Sequence, residues 1–174
     1  MVFDYYRRLS ARKQSIYRQS DAIIVVKLPD AEILRPPAIA LLEALKSENR
    51  TTVQRLSQQV SDGIIGQLQV PPLRIQVLAV RPSDDWGELH GLYLPEEDGN
   101  TAKIQLWMRT AKHKRVVAFK SYLRTLLHEI CHHLDYELYK FPETFHTEGF
   151  YSRESSLFHQ LVPDSQGSPP RSET

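Results

Sequence analysis

The sequence predicts an α+β domain carrying a helical addition at its N-terminus, and three observations predict it. Between Arg35 and Leu68, apolar residues recur at steps of three and four, the period of helices that bury one face. After Pro71-Pro72 the chain changes to short β-rich runs, one of which alternates strictly. From about Val116 to Tyr139 a helical pattern returns, free of Gly and Pro. These changes divide the chain into an N-terminal helical region (1–70), an α+β core (71–162) and a polar tail (163–174).

Taken in order, residues 3–18 place Tyr5, Tyr6, Leu9, Ile16 and Tyr17 at roughly helical spacing with Arg and Lys between them. A basic amphipathic helix is expected there. "AIIVVKLP" is a strand or a short buried piece, and periodicity does not choose between them. "RPPAIALLEALKSE" reads as a helix with Pro37 in its first turn. "TTVQRLSQQVSDGIIGQL" carries Val53, Leu56, Val60, Ile64 and Leu68 on one face, with weakening expected near Gly63 and Gly66. "LRIQVLAV" and "ELHGLYLP" read as strands, and "EEDGN" as a hairpin turn. In "AKIQLWMR", Ile104, Leu106 and Met108 face one way and Lys103, Gln105, Trp107 and Arg109 the other, so a strand open on one side is expected. Phe141-Pro142 ends the long helix. "PETFHTEGFYS" reads as a loop or short turn and "RESSLFHQL" as a last helix. The tail, with its Pro, Gly and Ser, reads as disordered.

The 174 residues carry a formal net charge of +1, which gives little reason to expect a dedicated nucleic-acid binder. The single cysteine, Cys131, excludes an internal disulfide and a Cys-rich zinc ribbon, and favours a reducing, cytoplasmic setting. The first residues lack the apolar core of a signal peptide, and the longest apolar run is too short to cross a membrane.

The chemistry concentrates in "LRTLLHEICHHLDYELYK", which holds three of the seven histidines. His128, Glu129 and His132 form H-E-x-x-H. On a helix the two imidazoles lie one turn apart on one face and can reach one metal ion. Glu129 points about 100° round the axis, where its carboxylate meets a metal-bound water rather than the ion. Zinc brings the pKa of such a water to roughly 7, and a carboxylate can then take its proton as general base. At this composition the motif arises by chance in roughly one such chain in fifty, so its setting has to support it. Leu123, Leu126, Leu127, Ile130, Leu134 and Leu138 fall on the opposite half of the helix, leaving the histidines free to face a cleft. His133 points away from that side and is expected to be a non-ligand; Cys131 is expected to be a small buried thiol.

A catalytic zinc needs a third protein ligand and an open fourth position. His146, past the helix end and followed by "TEGF", is the first candidate. Glu154 is the second, and Asp135, Glu143 and Glu148 complete the set. An acid that does not bind the ion can instead orient a ligand imidazole, a role open to Asp135.

The layout resembles the zincin metallopeptidases. Within that group "HEICHHLDYELYKFPETFHTEGF" is most similar to the SprT-like branch, in which the third ligand is a histidine beyond the helix, matched here by His146 near Gly149 and Phe150. In the rival branch, the minimal gluzincins, Glu154 would be the ligand. The resemblance covers about residues 116–154. It implies a small mixed sheet packed on the long H-E-x-x-H helix, one Zn2+, and hydrolysis of an extended protein or peptide. It also implies that "AKIQLWMR" is an edge strand whose Gln105 and Trp107 touch that substrate. Zincins often set a Tyr, His or Arg against the developing oxyanion, a role open here to Tyr151, Arg153 or His159, which follow the third-ligand region. Two other readings stay open: a catalytically idle zinc-binding or protein-interaction module, and a nucleic-acid-associated factor acting through its basic N-terminal helix. Oligomeric state is not legible in the sequence.

Overall fold

The computed structural model describes residues 2–84 and 87–163; the tail segment 164–174 lies outside the described residues. Among the described residues, five α-helices and a three-stranded mixed sheet form an α+β arrangement. In chain order these are α1 (Ala11–Asp21), α2 (Arg35–Lys46), α3 (Arg50–Leu68), β1 (Leu73–Val80), the two-residue strands β2 (Ser83–Asp84) and β3 (Gly87–Glu88), β4 (Gly91–Leu94), β5 (Ala102–Arg109), α4 (Phe119–Glu137) and α5 (Glu148–Leu161).

The N-terminal stretch is not one helix. A 3-10 turn over Asp4–Arg8 gives way to α1, whose N-cap Ser10 accepts a hydrogen bond from the Lys13 backbone N–H. "AIIVVKLP" joins no sheet. It runs extended with Val26 and Leu28 buried, and the Gln160 side chain replaces a neighbouring strand by donating to Val26 O and accepting from Leu28 N. α3 continues unbroken through both glycines. Gly63 is there for space: a Cβ at this point would lie 2.1 Å from Leu34 Cδ2.

The sheet order is β1-β5-β4, with β5 parallel to β1 and antiparallel to β4. The predicted "EEDGN" turn joins β4 to β5 through Asp98 (φ +50°) and Gly99 (φ +77°), the left-handed pair that a tight hairpin requires. Ile75 pairs with Ile104 and Val77 with Leu106, and all four are buried in one cluster with the inner faces of α2, α3, α4 and α5. That cluster runs from Val26 to Leu161, so the helices before Pro71 share the core of the strands after it.

The register corrects one expectation. "AKIQLWMR" is β5, the central strand, not an edge, because β1 pairs with it on one side and β4 on the other. Trp107 is 6% exposed, and the Gln105 side chain donates to Gln76 Oε1. The outer edge of β1 is closed by α3: Gln58 bonds Leu73 O and Ile75 N, and Gln54 accepts from Val77 N. β4 is the edge that remains beside α4. Among the described residues no helix is long and apolar enough to cross a membrane.

Candidate metal centre

α4 divides by face as its sequence dictates. Leu123, Leu126, Leu127, Ile130, Cys131 and Leu134 are fully buried, while His128 and His132 look into a cavity of about 600 Å³ between α4, β4 and the start of α5. Beyond α4 the backbone turns at Lys140 (φ +57°), with Phe141 N bonded to Asp135 O. This reversal carries residues 143–147 back across the histidine face. The next helix opens at Thr147, whose hydroxyl accepts from Phe150 N. α5 therefore starts five residues earlier than "RESSLFHQL" suggests, and a threonine N-cap followed by acidic Glu148 was the available signal.

The result is convergence. His146 Nε2 lies 3.0 Å from His128 Nε2 and 3.0 Å from His132 Nε2. Among the described residues these three form a group whose ligand atoms all fall within 4.8 Å of one another. Nitrogens bound to one tetrahedral zinc at about 2.0 Å would stand about 3.3 Å apart, close to this spacing.

The far sides of the rings determine what the near sides offer. His128 Nδ1 lies 3.1 Å from Glu154 Oε2, and a carboxylate only accepts, so Nδ1 donates and the neutral ring turns its Nε2 lone pair toward the cavity. His132 Nδ1 lies 2.9 Å from Thr144 Oγ1, whose own hydrogen goes to Asp135 Oδ2 at 2.7 Å. Nδ1 must again donate, and His132 Nε2 is again a lone pair. Two fixed lone pairs and a third imidazole nitrogen thus face one point, a donor set suited to a cation. Burial first, and then the neighbouring imidazole of His128, pushes His132 down to about 3 and keeps the ring neutral, as metal binding requires. Burial lowers His146 as well.

His128, His132 and His146 thus lie close enough together to bind one metal ion, and Glu154 takes a different place. Its carboxylate lies behind His128, braced by Arg124 Nη1 at 3.5 Å, and orients that ring. Asp135 does the same for His132 through Thr144, and is itself locked to fully buried Arg153 at 2.8 Å. Burial pushes the Asp135 carboxyl up, while Arg153 and Thr144 draw it back. Arg153 is consumed by this network, and His159 bonds Ser155 O within its own helix. Tyr151, 44% exposed, remains near the site, its ring 6.0 Å from that of His146. His133 is no part of the group; it bridges Pro71 O and the Tyr93 hydroxyl.

Glu129 is 7% exposed and lines the cavity. Burial raises its pKa, against the opposing pull of His128 and of a hydrogen bond from the Tyr93 backbone. β4 comes this near because residue 91 is glycine: a Cβ there would stand 2.6 Å from Glu129 Oε1 and 2.8 Å from Thr125 Cγ2. Gln105 and Trp107 do not line the cavity; Leu92, Tyr93 and Tyr136 do. Tyr136, four residues after His132, could have been placed there from helical period alone. Of the basic N-terminal residues, Lys13 pairs with Glu143 at 3.1 Å and Arg18 bonds the Tyr6 hydroxyl. Comparison with protein-family models, curated proteins and solved structures finds no match for this chain.

Proposed function

We infer that the protein is a zinc-dependent peptidase of zincin-like type that hydrolyses peptide bonds in an extended protein or peptide. The observation that carries this reading is the placing of Glu129: a buried carboxylate of raised pKa beside a three-imidazole donor set, at the wall of an open cavity. A purely structural cation site has no use for such a group.

His128, His132 and His146 would hold the ion. Zinc bound there would supply Lewis-acid polarisation of a carbonyl and increased acidity of a water molecule. The residues supply the rest. Glu129 accepts a proton from the attacking water and returns it to the leaving amine; the raised pKa suits both halves of that transfer. Glu154 and the Thr144–Asp135 pair hold the ligand tautomers through the cycle. β4, which among the described residues pairs only with β5, lines the cavity with Gly91, Leu92 and Tyr93 and can take an extended peptide by strand addition. It fills the role that the sequence suggested for β5. Leu92, Tyr93 and Tyr136 give the cavity apolar wall area for a substrate side chain.

Metal analysis and peptide hydrolysis by the wild type beside Glu129→Gln test the reading. Stoichiometric zinc is expected in both, with hydrolysis reduced by about 10²-fold or more in the variant, the scale of a lost general base. Equal hydrolysis by both would remove Glu129 from the mechanism. Zinc without turnover of any peptide by the wild type would leave a cation-binding module.

A further inference from the structure

Residues 3–23 reach the metal centre by two separate routes. The first leads to His146. The Tyr5 hydroxyl donates to the His146 backbone carbonyl at 2.9 Å, across 141 positions of sequence. Two neighbours support the same loop: Lys13 pairs with Glu143, and Tyr17 packs on Phe145 at 6.1 Å between ring centres. Just beyond, Gly149 N donates to Asp21 Oδ1, and a Cβ on Gly149 would stand 2.3 Å from Asp21 O. Glycine is required there because the end of α1 lies against the first turn of α5.

The second route leads to His132. Arg153 Nη1 donates to Ser20 O and Ile23 O, both at 2.6 Å, at the carbonyl-rich C-terminal end of α1. Its Nη2 donates to Ser20 Oγ and to Asp135 Oδ1. Asp135 accepts from Thr144, and Thr144 meets His132 Nδ1. One fully buried guanidinium thereby joins the end of α1 to the back of a ligand imidazole.

We propose that residues 3–23 are a positioning part of the metal centre, with Tyr5 fixing the backbone of His146 and Arg153 coupling the end of α1 to the orientation of His132. The proposal rests on the metal reading above and adds the element that assembles the site. The backbone positions of His128 and His132 are set by α4. His146 sits in the connection between α4 and α5, and needs support from outside it. Tyr5 is well chosen for a test, since its hydroxyl bond lies on the exposed side and its loss should not disturb the core.

The experiment uses the full chain as wild type, Tyr5→Phe, Arg153→Lys and the matched control Tyr6→Phe, whose hydroxyl meets Arg18 instead of the site. Each is titrated with Zn2+ against a chromophoric chelator. Each is also loaded with Co2+, whose visible absorption reports ligand geometry, and the unfolding of the metal-free protein is recorded. Tyr5→Phe should weaken Zn2+ binding about fivefold, the effect of one neutral hydrogen bond, and alter the Co2+ spectrum, with the metal-free unfolding midpoint unchanged. Arg153→Lys keeps the charge but not the fork, and should weaken binding about tenfold or more. Tyr6→Phe should match the wild type. If Tyr5→Phe binds both ions as the wild type does, the proposal is overturned, whether or not Arg153→Lys folds. A wild type that binds neither ion overturns the metal reading itself, and this inference with it.

Discussion

His128 and His132 stand one turn apart on the same helix, and each is backed by the same chemical pair, a carboxylate and an arginine. The two supports differ in where they lie. Behind His128, Glu154 meets Arg124 at 3.5 Å, and the arginine is 40% exposed and stacked over Phe158. Behind His132, Thr144 leads to Asp135 and Arg153, at 2.8 Å and with neither side chain exposed. Water can replace part of the first support. It can replace none of the second, where a lost partner leaves a charge with no solvent to receive it. One histidine is therefore anchored by the fold as a whole and the other by a local, adjustable contact.

The strongest way to break that contrast is Asp135→Asn. It leaves the Arg153 charge buried without its counter-ion and loosens the Thr144 bond to His132. A loss of about 3–5 kcal/mol is expected in denaturant unfolding of the metal-free protein, the usual result of removing one partner of a buried pair. A loss below about 1 kcal/mol would mean that the carbonyls of Ser20 and Ile23 alone satisfy the guanidinium.

Glu154→Gln should separate affinity from stability. The amide can still accept from His128 Nδ1 but no longer stabilises charge on the ring. Zinc affinity should fall about tenfold, within the range of changes behind a ligand histidine, while unfolding of the metal-free protein shifts by less than about 1 kcal/mol. If zinc binding is abolished and the Co2+ spectrum shows a lost ligand, Glu154 rather than His146 would be the third ligand.

Some of this was legible in sequence and some was not, for physical reasons. The H-E-x-x-H face of α4 and the strands 73–80 and 102–109 are local patterns: side chains at fixed spacing declare a face whatever surrounds them. Asp135 was open to the same reasoning, being three residues from His132 on the same helix. The central place of β5 was hidden because it depends on β1, a parallel partner about thirty residues away. The exposed-looking face of Trp107 gave the wrong impression for that reason. Glu154 read as a candidate ligand because a sequence gives the chemical type of a carboxylate and not the side from which it approaches. Tyr5 carried no site signal, and Arg153 was legible only as a candidate for the oxyanion, not as the support of a histidine; their contacts join the two ends of the chain. Gly91 and Gly149 are similar, since each is explained by what a Cβ would strike on another element.

The smallest expected effect sharpens the comparison most. Arg124→Gln removes the exposed arginine behind His128, the counterpart of Arg153 behind His132. At 3.5 Å, and with one partner 40% exposed, the pair with Glu154 falls among surface ion pairs, which contribute about 0.2–1 kcal/mol. Zinc affinity should therefore change by about threefold or less. Because the Debye length shrinks to about 3 Å in 1 M salt, most of that difference should vanish there. Chelator titrations of wild type and variant at low and high salt measure both quantities. A large and salt-independent change would place Arg124 in the same class as Arg153, and the two histidines would then be held alike. A small, salt-sensitive change would show that the fold commits itself to His132, and leaves His128 to be tuned by what enters the cavity.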